Sequence, residues 1–581
     1  MKQLGTLDSA FINLENSSTP QHIGGLGIYD PSTSEAGFVR FKDVLASFEQ
    51  RLNRLPMFRT RLVQVPGDID RPYWVEDKNF DVEFHIRHIS LPKPGDWRQL
   101  WIQAARLHSR SLDMSRPLWE AYIIEGLDNI PGLPEGAFAM YTKMHHSLVD
   151  GAGGASFMSA LHDLEPTPAA NPDPAPNAII FDRQPSKQEL LARALINRTT
   201  GSLGMLRSIG GTAVELAKYG LAVSRDEVNA PDLAAPKTRF NRKVGPHRVA
   251  DATTINLDQV KQIKNATGST INDVALSIIG GALRHYLTLH DELPQESLAA
   301  SIPLNMRTRR TANDENNQVG SMFAELHTNV EDPIARISAV SASTKEAKVA
   351  AEDSPLVEAM RLAGFFSPLV SKTAASIWSK NQLSRFLPMN TSTVITNVPG
   401  PNFPMYCAGA EMVRYHGLGL LTPGCGLFHT IFSCNGLVTI TILGDRDSIP
   451  DPDAYISCLQ KSFIETYEAA IGHAPSETVE EANSAKHKNQ KASISDSKKP
   501  VQKATKLKAA AENKADKKVV RKKPGKKKAV TKLVKEAAKS PVKKASGKKP
   551  ARSLRSIKIP ASAKRTTSSS RKRQAKPTTV H

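Results

Sequence analysis

The sequence contains few cysteines and few aromatic residues. Only four of its 581 residues are cysteine, and aromatic residues make up 6% of the chain. The cysteines are Cys407, Cys425, Cys434 and Cys458, and no two of them are spaced as C-x-x-C. This pattern argues against a zinc site, gives no disulfide framework and favours a reducing compartment.

Long hydrophobic runs are also missing. No segment has about 18 or more consecutive apolar residues, so no transmembrane helix is predicted. The opening residues, MKQLGTLDSAFINLENSS, lack the charged, apolar and small-residue regions of a secretory signal. We therefore expect a cytoplasmic protein that contacts membranes only at their surface.

Acidic residues are scarce in the C-terminal region. Residues 482–581 carry 33 Lys and Arg against four Asp and Glu, a net charge of +29. The whole chain has 77 basic and 57 acidic residues, so residues 1–481 hold 44 basic and 53 acidic residues, a net charge of −9. No aromatic residue follows Tyr467. Because such a composition cannot bury enough apolar area to offset chain entropy, we predict a disordered basic tail over residues 475–581.

Apolar periodicity divides the rest of the sequence into two mixed halves. Residues 1–164 alternate strand-like runs, such as HIGGLGIYD and GAFAMYTKM, with helical patterns, such as FVRFKDVLASFEQRLNRL. A proline-rich linker and a helical connector are predicted over residues 165–239. Residues 240–474 contain a capped apolar helix, STINDVALSIIGGALRHYL, and a hairpin that turns at Asn435-Gly436. The predicted fold class is α/β (α+β), without an internal repeat.

The stretch TKMHHSLVDGAGG places reactive side chains directly after an apolar strand. Adjacent strand residues face opposite sides, so His145 and His146 are not expected to share one task. A histidine that faces a cleft is suited to proton transfer near neutral pH. Asp150 follows four residues later, and Gly151 permits a tight backbone. Two alternatives stay open: a pair of packed or surface histidines, and a metal site, for which no third or fourth ligand is evident nearby.

Other catalytic motifs are absent from the sequence. There is no G-x-S-x-G elbow, no H-E-x-x-H helix, no G-x-x-x-x-G-K loop and no G-x-G-x-x-G that opens a helix. Since no nucleophile is recognisable, the sequence favours general-base chemistry over a covalent enzyme intermediate.

Seven ordered segments carry a resemblance to a known family. HHSLVDG, residues 145–151, matches the HHxxxDG signature of acyltransferases that resemble chloramphenicol acetyltransferase. Around it stand LGTLDSAFINLENSSTPQHIGGLGIYD, PLWE, TINDVALSIIGGALRHYL, IPLNMR, NNQVGSMF and TNVPGP. In this order, over about residues 4–472, the sequence resembles the bacterial wax ester synthase/acyl-CoA:diacylglycerol acyltransferase family.

The resemblance implies two chloramphenicol-acetyltransferase-like subdomains with a tunnel between them. It implies transfer of a fatty acyl group from acyl-CoA to the hydroxyl of diacylglycerol or of a long-chain fatty alcohol. Acyl-CoA is then a co-substrate, and no cofactor or metal is expected. His146 would be the general base, His145 would support it, and Asp150 and Gly151 would shape the motif loop.

The same resemblance marks four further residues as candidates for the tunnel. Asn272 and Asp273 match an Asn-Asp pair of the family, although both residue types are also favoured at an ordinary helix N-cap. Pro117 and Trp119 belong to the PLWE segment and suit core packing as well as chemistry.

Two alternatives of a different class remain at this stage. One is a condensation-type enzyme that uses carrier-bound acyl groups, although no carrier-domain serine motif accompanies it. The other is an inactive body with a nucleic-acid-binding tail, against which the intact HHxxxDG counts. The composition of the tail favours binding to anionic lipid, at about 1 kcal/mol per basic residue near the surface. Binding to nucleic acid and a solvated tail with only incidental binding stay open as alternatives. We expect a cytoplasmic enzyme held peripherally at the inner membrane or on lipid inclusions.

Overall fold

Strands and helices follow one another along the chain much as the sequence predicts. A computed structural model describes residues 1–52, 55–148, 158, 160–167, 183–197, 199, 236–305, 319–352, 367–380 and 391–475. The strands are β1 Lys2–Gln3, β2 His22–Asp30, β3 Thr60–Val63, β4 Tyr73–Glu76, β5 Ile86–Ser90, β6 Trp119–Glu125, β7 Phe138–His145, β8 Arg248–Asn256, β9 Ala299–Asn305, β10 Val319–Glu325, β11 Thr393–Pro399, β12 Tyr406–Cys407, β13 Ala410–Leu418, β14 Leu427–Cys434 and β15 Leu437–Asp445. The helices are α1 Thr6–Leu14, α2 Phe41–Leu52, α3 Val82–His85, α4 Trp97–His108, α5 Leu257–Thr267, α6 Ile271–Leu289, α7 Pro333–Glu352, α8 Pro368–Lys380 and α9 Pro452–Ile471. Most of the predicted linker and connector, and the predicted tail after Pro475, lie outside the described residues.

The first large sheet has six strands in the order β12-β13-β2-β7-β6-β5. Strand β7 lies in the middle, antiparallel to both β2 and β6. Every residue of β7 is buried, because helices or strands cover both of its faces. The runs PLWEAYIIEGL and GAFAMYTKM form the antiparallel β6–β7 pair.

The second large sheet also has six strands, in the order β10-β9-β11-β14-β15-β8. Strands β14 and β15 form the predicted hairpin, with Asn435 at φ 50° and Gly436 at φ 79°. Both angles lie in the left-handed region that a tight two-residue hairpin turn requires. The predicted turn dipeptide is therefore confirmed.

The second half of the sequence contributes strands to both large sheets. Strands β12 and β13 lie in residues 240–474, yet β13 pairs with β2 in the first sheet. His416 stands opposite Leu26, and Leu418 stands opposite Gly24. The two halves of the sequence are therefore joined through a common sheet rather than only through a linker.

The core of the second half lies between its sheet and the long helices α6 and α9. Helix α6 is buried over most of its length, and Gly280 and Gly281 allow other elements to approach it closely. A Cβ at Gly280 would stand 2.4 Å from the carbonyl oxygen of Leu326, and one at Gly281 would stand 2.3 Å from Ser462 Oγ. Within the described ranges, none of the helices has the length and apolar character needed to cross a bilayer. The observed architecture confirms the predicted α/β fold with two lobes.

Candidate active site

Backbone hydrogen bonds fix the turn that carries the two histidines. His145 is the last residue of β7, and its N–H donates to the carbonyl oxygen of Leu118 over 2.9 Å. The N–H of His146 donates to the carbonyl oxygen of Gln21 over 2.9 Å, and that of Leu148 donates to His145 over 3.0 Å. The turn is thus held by both neighbours of β7, with Leu118 supplied by the PLWE segment.

The ring of His145 is completely buried and is held from both sides. Its Nδ1 lies 3.1 Å from the backbone N–H of Ser147, which can only donate, and 2.7 Å from the Ser147 hydroxyl. Its Nε2 lies 2.7 Å from a carboxylate oxygen of Glu15. The proton of the neutral ring therefore resides on Nε2 and is donated to Glu15. This ring is fixed in place and supports the turn.

The ring of His146 has a different environment. It is only half-buried, and it stacks on Phe11 with ring centroids 4.1 Å apart and an interplanar angle of 19°. Burial, and secondarily the neighbouring His145, lowers the pKa of His146 to about 4. The ring is therefore neutral at pH 7 and can accept a proton.

Helix α1 supplies the partners of both histidines. Phe11 and Glu15 are four residues apart, so they lie on one face of the helical turn. Glu15 caps α1, and its N–H donates to the carbonyl oxygen of Phe11. Sequence reasoning missed both residues. The sequence signal that could have pointed to them is their i, i+4 spacing within the opening segment, which resembles that of the family.

A buried ion pair lies two residues before His145 on β7. Lys143 is 1% exposed, and its ammonium lies 3.3 Å from Glu120 of the PLWE segment. Its Nζ also donates to the carbonyl oxygens of Leu107 and Arg110, over 3.2 and 2.9 Å. Burial lowers the pKa of Lys143, and Glu120 opposes this shift. The pair braces β6 against β7 behind the histidine turn, and it too was missed.

The structure places Trp119 and Pro117 in the core. The indole N–H of Trp119 donates to the carbonyl oxygen of Phe58 over 2.7 Å, and its ring stacks on His85 at 4.7 Å. The carbonyl oxygen of Pro117 accepts the N–H of Trp119 over 2.9 Å. Pro117 and Trp119 are therefore packing residues. They position the carbonyl oxygen of Leu118, which accepts the N–H of His145.

Asp273 serves the N-terminus of α6. Its carboxylate accepts the N–H of Thr270 over 3.0 Å, and the Thr270 hydroxyl accepts the N–H of Asp273 over 3.1 Å, which forms a capping box. Thr344 donates to the other carboxylate oxygen over 2.9 Å. The predicted cap of this helix is confirmed, with Thr270 as the capping residue. Asn272 instead accepts from Asn397 of the TNVPGP segment over 3.3 Å, so it links α6 to β11.

The predicted loop residues Asp150 and Gly151 lie outside the described residues. Among the residues that the structure does describe, no three His, Cys, Asp or Glu side chains are grouped to hold a metal ion.

The four cysteines are buried and unpaired with one another. Burial raises the pKa of Cys407 to about 12 and that of Cys425 and Cys434 to about 11, so these thiols are poor nucleophiles at neutral pH.

A two-lobed α/β fold whose central strand β7 leads into the HHxxxDG signature defines the chain as an acyltransferase of the HHxxxDG class. Residues 4–275 match the model of the wax ester synthase/diacylglycerol acyltransferase catalytic domain, and residues 316–466 match the WS/DGAT C-terminal domain. The chain belongs to the wax ester synthase/diacylglycerol acyltransferase family.

Two individual relatives agree with this assignment. A Mycobacterium tuberculosis protein named "Probable diacyglycerol O-acyltransferase tgs2" is 33% identical over 475 residues, which cover 80% of this chain and 98% of the relative. The solved wax ester synthase/diacylglycerol acyltransferase from Marinobacter aquaeolei VT8 is 26% identical, with a TM-score of 0.57 over 81% of this chain and all of that one. The chain is an O-acyltransferase that uses acyl-CoA and an acyl acceptor, and the carrier-dependent and inactive-body alternatives are not favoured.

Proposed function

We propose that the protein transfers a fatty acyl group from acyl-CoA to diacylglycerol, to a long-chain fatty alcohol, or to both, with His146 as general base. The observation that carries the proposal is the contrast between the two histidines. His145 is sealed and its two ring nitrogens are engaged, whereas His146 is half-buried, neutral and supported on Phe11. His146 is thus the ring suited to meet a substrate.

In the proposed reaction, His146 takes the proton of the acceptor hydroxyl while that oxygen attacks the thioester carbonyl. The tetrahedral intermediate then collapses, the carbon–sulfur bond breaks, and CoA leaves as the thiol after it receives the proton from His146. No acyl-enzyme forms, in keeping with the high pKa of the buried thiols. A positioned base contributes about 10²–10⁴-fold to the rate, and holding two substrates together in a tunnel between the lobes contributes further.

The direct test is His146→Ala, assayed with labelled palmitoyl-CoA and with diacylglycerol and hexadecanol in competition, followed by lipid separation. We expect ester formation to fall by about 10²–10⁴-fold while the melting temperature changes little. The matched control is His473→Ala, because His473 is exposed and distant in sequence from the motif. Near-normal turnover by His146→Ala would disprove the general-base role, and the ratio of the two labelled products defines the acceptor.

We further propose that the basic tail holds the enzyme at an anionic lipid surface. Residues 482–581 carry a net charge of +29, and each basic residue near such a surface contributes about 1 kcal/mol. The test compares the full chain with a chain that ends at residue 475, in sedimentation with phosphatidylserine vesicles and in a DNA gel shift. Loss of sedimentation with DNA binding unchanged supports lipid attachment. The reverse result would assign the tail to nucleic acid.

A further inference from the structure

A cavity of about 510 Å³ lies at the seam between the two large sheets. Helices α4 and α9 and strands β8 and β13 surround it. Strand β8 is an end strand of the second sheet, and β13 is the strand that the second half contributes to the first sheet. Its volume falls within the range of small-molecule sites, about 300–1,000 Å³.

This cavity is separate from the histidine turn. Its wall on the first sheet is formed by Arg414 and His416 of β13, and His416 stands opposite Leu26 of β2. Leu26 in turn stands opposite Tyr141, four residues before His145. At about 3.3 Å per strand residue, Tyr141 and the adjacent cavity wall lie about 13 Å along β7 from His145. None of the lining residues belongs to the turn or to α1.

The polar end of the cavity is built around His416. The ring is 2% exposed and stands edge-on to Trp97 and Trp101, at 5.9 and 5.2 Å between centroids. Neither ring nitrogen has a hydrogen-bond partner in the described part of the chain. A buried imidazole normally satisfies both nitrogens, because leaving a buried polar atom unbonded costs stability. A polar ligand group in the cavity would provide the partner.

A positive charge lies beside this ring. The guanidinium of Arg414 stands 5.4 Å from the Trp97 ring centroid, and Arg414 is 4% exposed. Arg414 is close enough to His416 to add to the effect of burial, which lowers the pKa of His416 to about 3. The neutral His416 ring and Arg414 can thus both donate to one acceptor, and a carboxylate is the group that accepts from both.

The remaining walls are apolar and lead to the surface. Ile456, Phe463 and Ile464 lie seven and eight residues apart on α9, so they line one side of the helix over about 12 Å. Trp101 faces them from α4. Ile464 is 39% exposed and therefore marks the mouth. An alkyl chain fits such a wall, because its burial removes apolar surface from water.

One acidic residue also lines the cavity, and it belongs to the other end. Burial raises the pKa of Asp251 to about 7, and Asp453, with which it shares a hydrogen bond, raises this pKa further. The backbone N–H of Ala252 and the positive charge of Arg98 oppose the shift. Arg98 lies 2.7 Å from Asp453 near the N-terminus of α9. Asp251 is thus engaged with this group rather than with Arg414 and His416.

We propose that this cavity binds a long-chain fatty acid, with its carboxylate at Arg414 and His416 and its alkyl chain along Trp101, Phe463 and Ile464. The site is distinct from the catalytic histidine turn. Fatty acid binding there does not depend on the proposed reaction, so the two proposals fail independently.

Quenching of tryptophan fluorescence in the full chain by 9,10-dibromostearate tests the proposal, because bromine quenches indoles that it touches. Two of the five tryptophans of the chain line the cavity. We expect saturable quenching that stearate reverses and that His146→Ala leaves unchanged. Replacing both Trp97 and Trp101 by Phe should remove most of it. Methyl stearate, which lacks the carboxylate, should compete at least tenfold more weakly than stearate.

Variants at both ends of the cavity complete the test. Arg414→Gln and His416→Phe should each raise the dissociation constant at least tenfold. Ile464→Arg should close the mouth of the cavity. The matched control is Ile102→Arg, because Ile102 on α4 is similarly exposed, at 42%. This control variant should bind the fatty acid as the wild type does. If Arg414→Gln fails to fold, the comparison of methyl stearate with stearate and the Ile464→Arg variant still test the proposal. Quenching that survives in Ile464→Arg and in the double Trp variant, or that is lost in His146→Ala, would overturn the proposal.

Discussion

Acidification should destabilise the folded chain, because full or partial burial keeps at least five histidines uncharged. Burial is the largest cause in each case: it lowers the pKa of His108, His416 and His429 to about 3, and that of His146 and His162 to about 4. In the unfolded chain these rings take up protons near pH 6.5. The stability they contribute is therefore fully present above pH 6.5 and is lost as the pH falls from 6.5 towards 4.

The size of the effect follows from proton linkage. Between pH 7.5 and pH 5.5 each ring lowers the free energy of unfolding by about 1.4 kcal/mol, and five rings lower it by about 7 kcal/mol. Asp251 works in the opposite direction, because its pKa of about 7 lets the folded chain take up a proton over the same range, which returns about 2 kcal/mol. The net loss of about 5 kcal/mol is comparable with the whole stability of many proteins, about 5–15 kcal/mol.

Urea unfolding followed by circular dichroism at pH 7.5, 6.5 and 5.5 measures this loss. We expect the midpoint to fall steeply between pH 6.5 and pH 5.5. His416→Phe removes one titrating ring and should reduce the loss between pH 7.5 and pH 5.5 by about 1.4 kcal/mol, whereas the exposed His473→Gln should leave the loss unchanged. A midpoint at pH 5.5 that equals or exceeds the one at pH 7.5 would refute the reasoning.

Substitutions at three other residues test the described contacts. Glu15→Ala leaves the buried Nε2–H of His145 without its acceptor, which should cost about 1–3 kcal/mol and lower kcat more than it raises KM. Glu15→Gln keeps an acceptor and should recover most of the melting temperature, so equal losses in the two variants would contradict the assigned contact. Thr270→Val removes a capping hydroxyl and should cost about 1 kcal/mol in thermal melting, with kcat unchanged. Trp119→Ala empties a core position and should cost about 3–5 kcal/mol; a loss of turnover without a loss of stability would instead point to a chemical role.

Local features of the fold were predictable because neighbouring residues determine them. The Asn435-Gly436 turn needs only the left-handed preference of two residues, and the Thr270 cap needs only a hydroxyl before an apolar helix. The buried character of β7 was visible in its apolar run. The placement of His145 and His146 at the end of that strand followed from the same run.

The partners of these residues could not be predicted in the same way. Glu15 and His145 meet across 130 positions of the sequence, and nothing in either segment specifies the other. The alternation of β13 shows that it is a strand, but not that it joins the first sheet beside β2. The assignment of catalytic roles to His146, Asp150 and Gly151 rests on resemblance and stays a prediction.

The pairing of β13, from the second half of the sequence, with β2, from the first half, has a consequence for biosynthesis. Strand β2 cannot gain this neighbour until Leu418 has been made, about 15–55 s after His145 at about 5–20 residues per second. Throughout that interval the nascent first sheet presents an open edge, which is a template for pairing with another chain. Ribosome-bound chains of this protein should therefore depend on holding chaperones, and a fragment that ends before β12 should aggregate rather than fold.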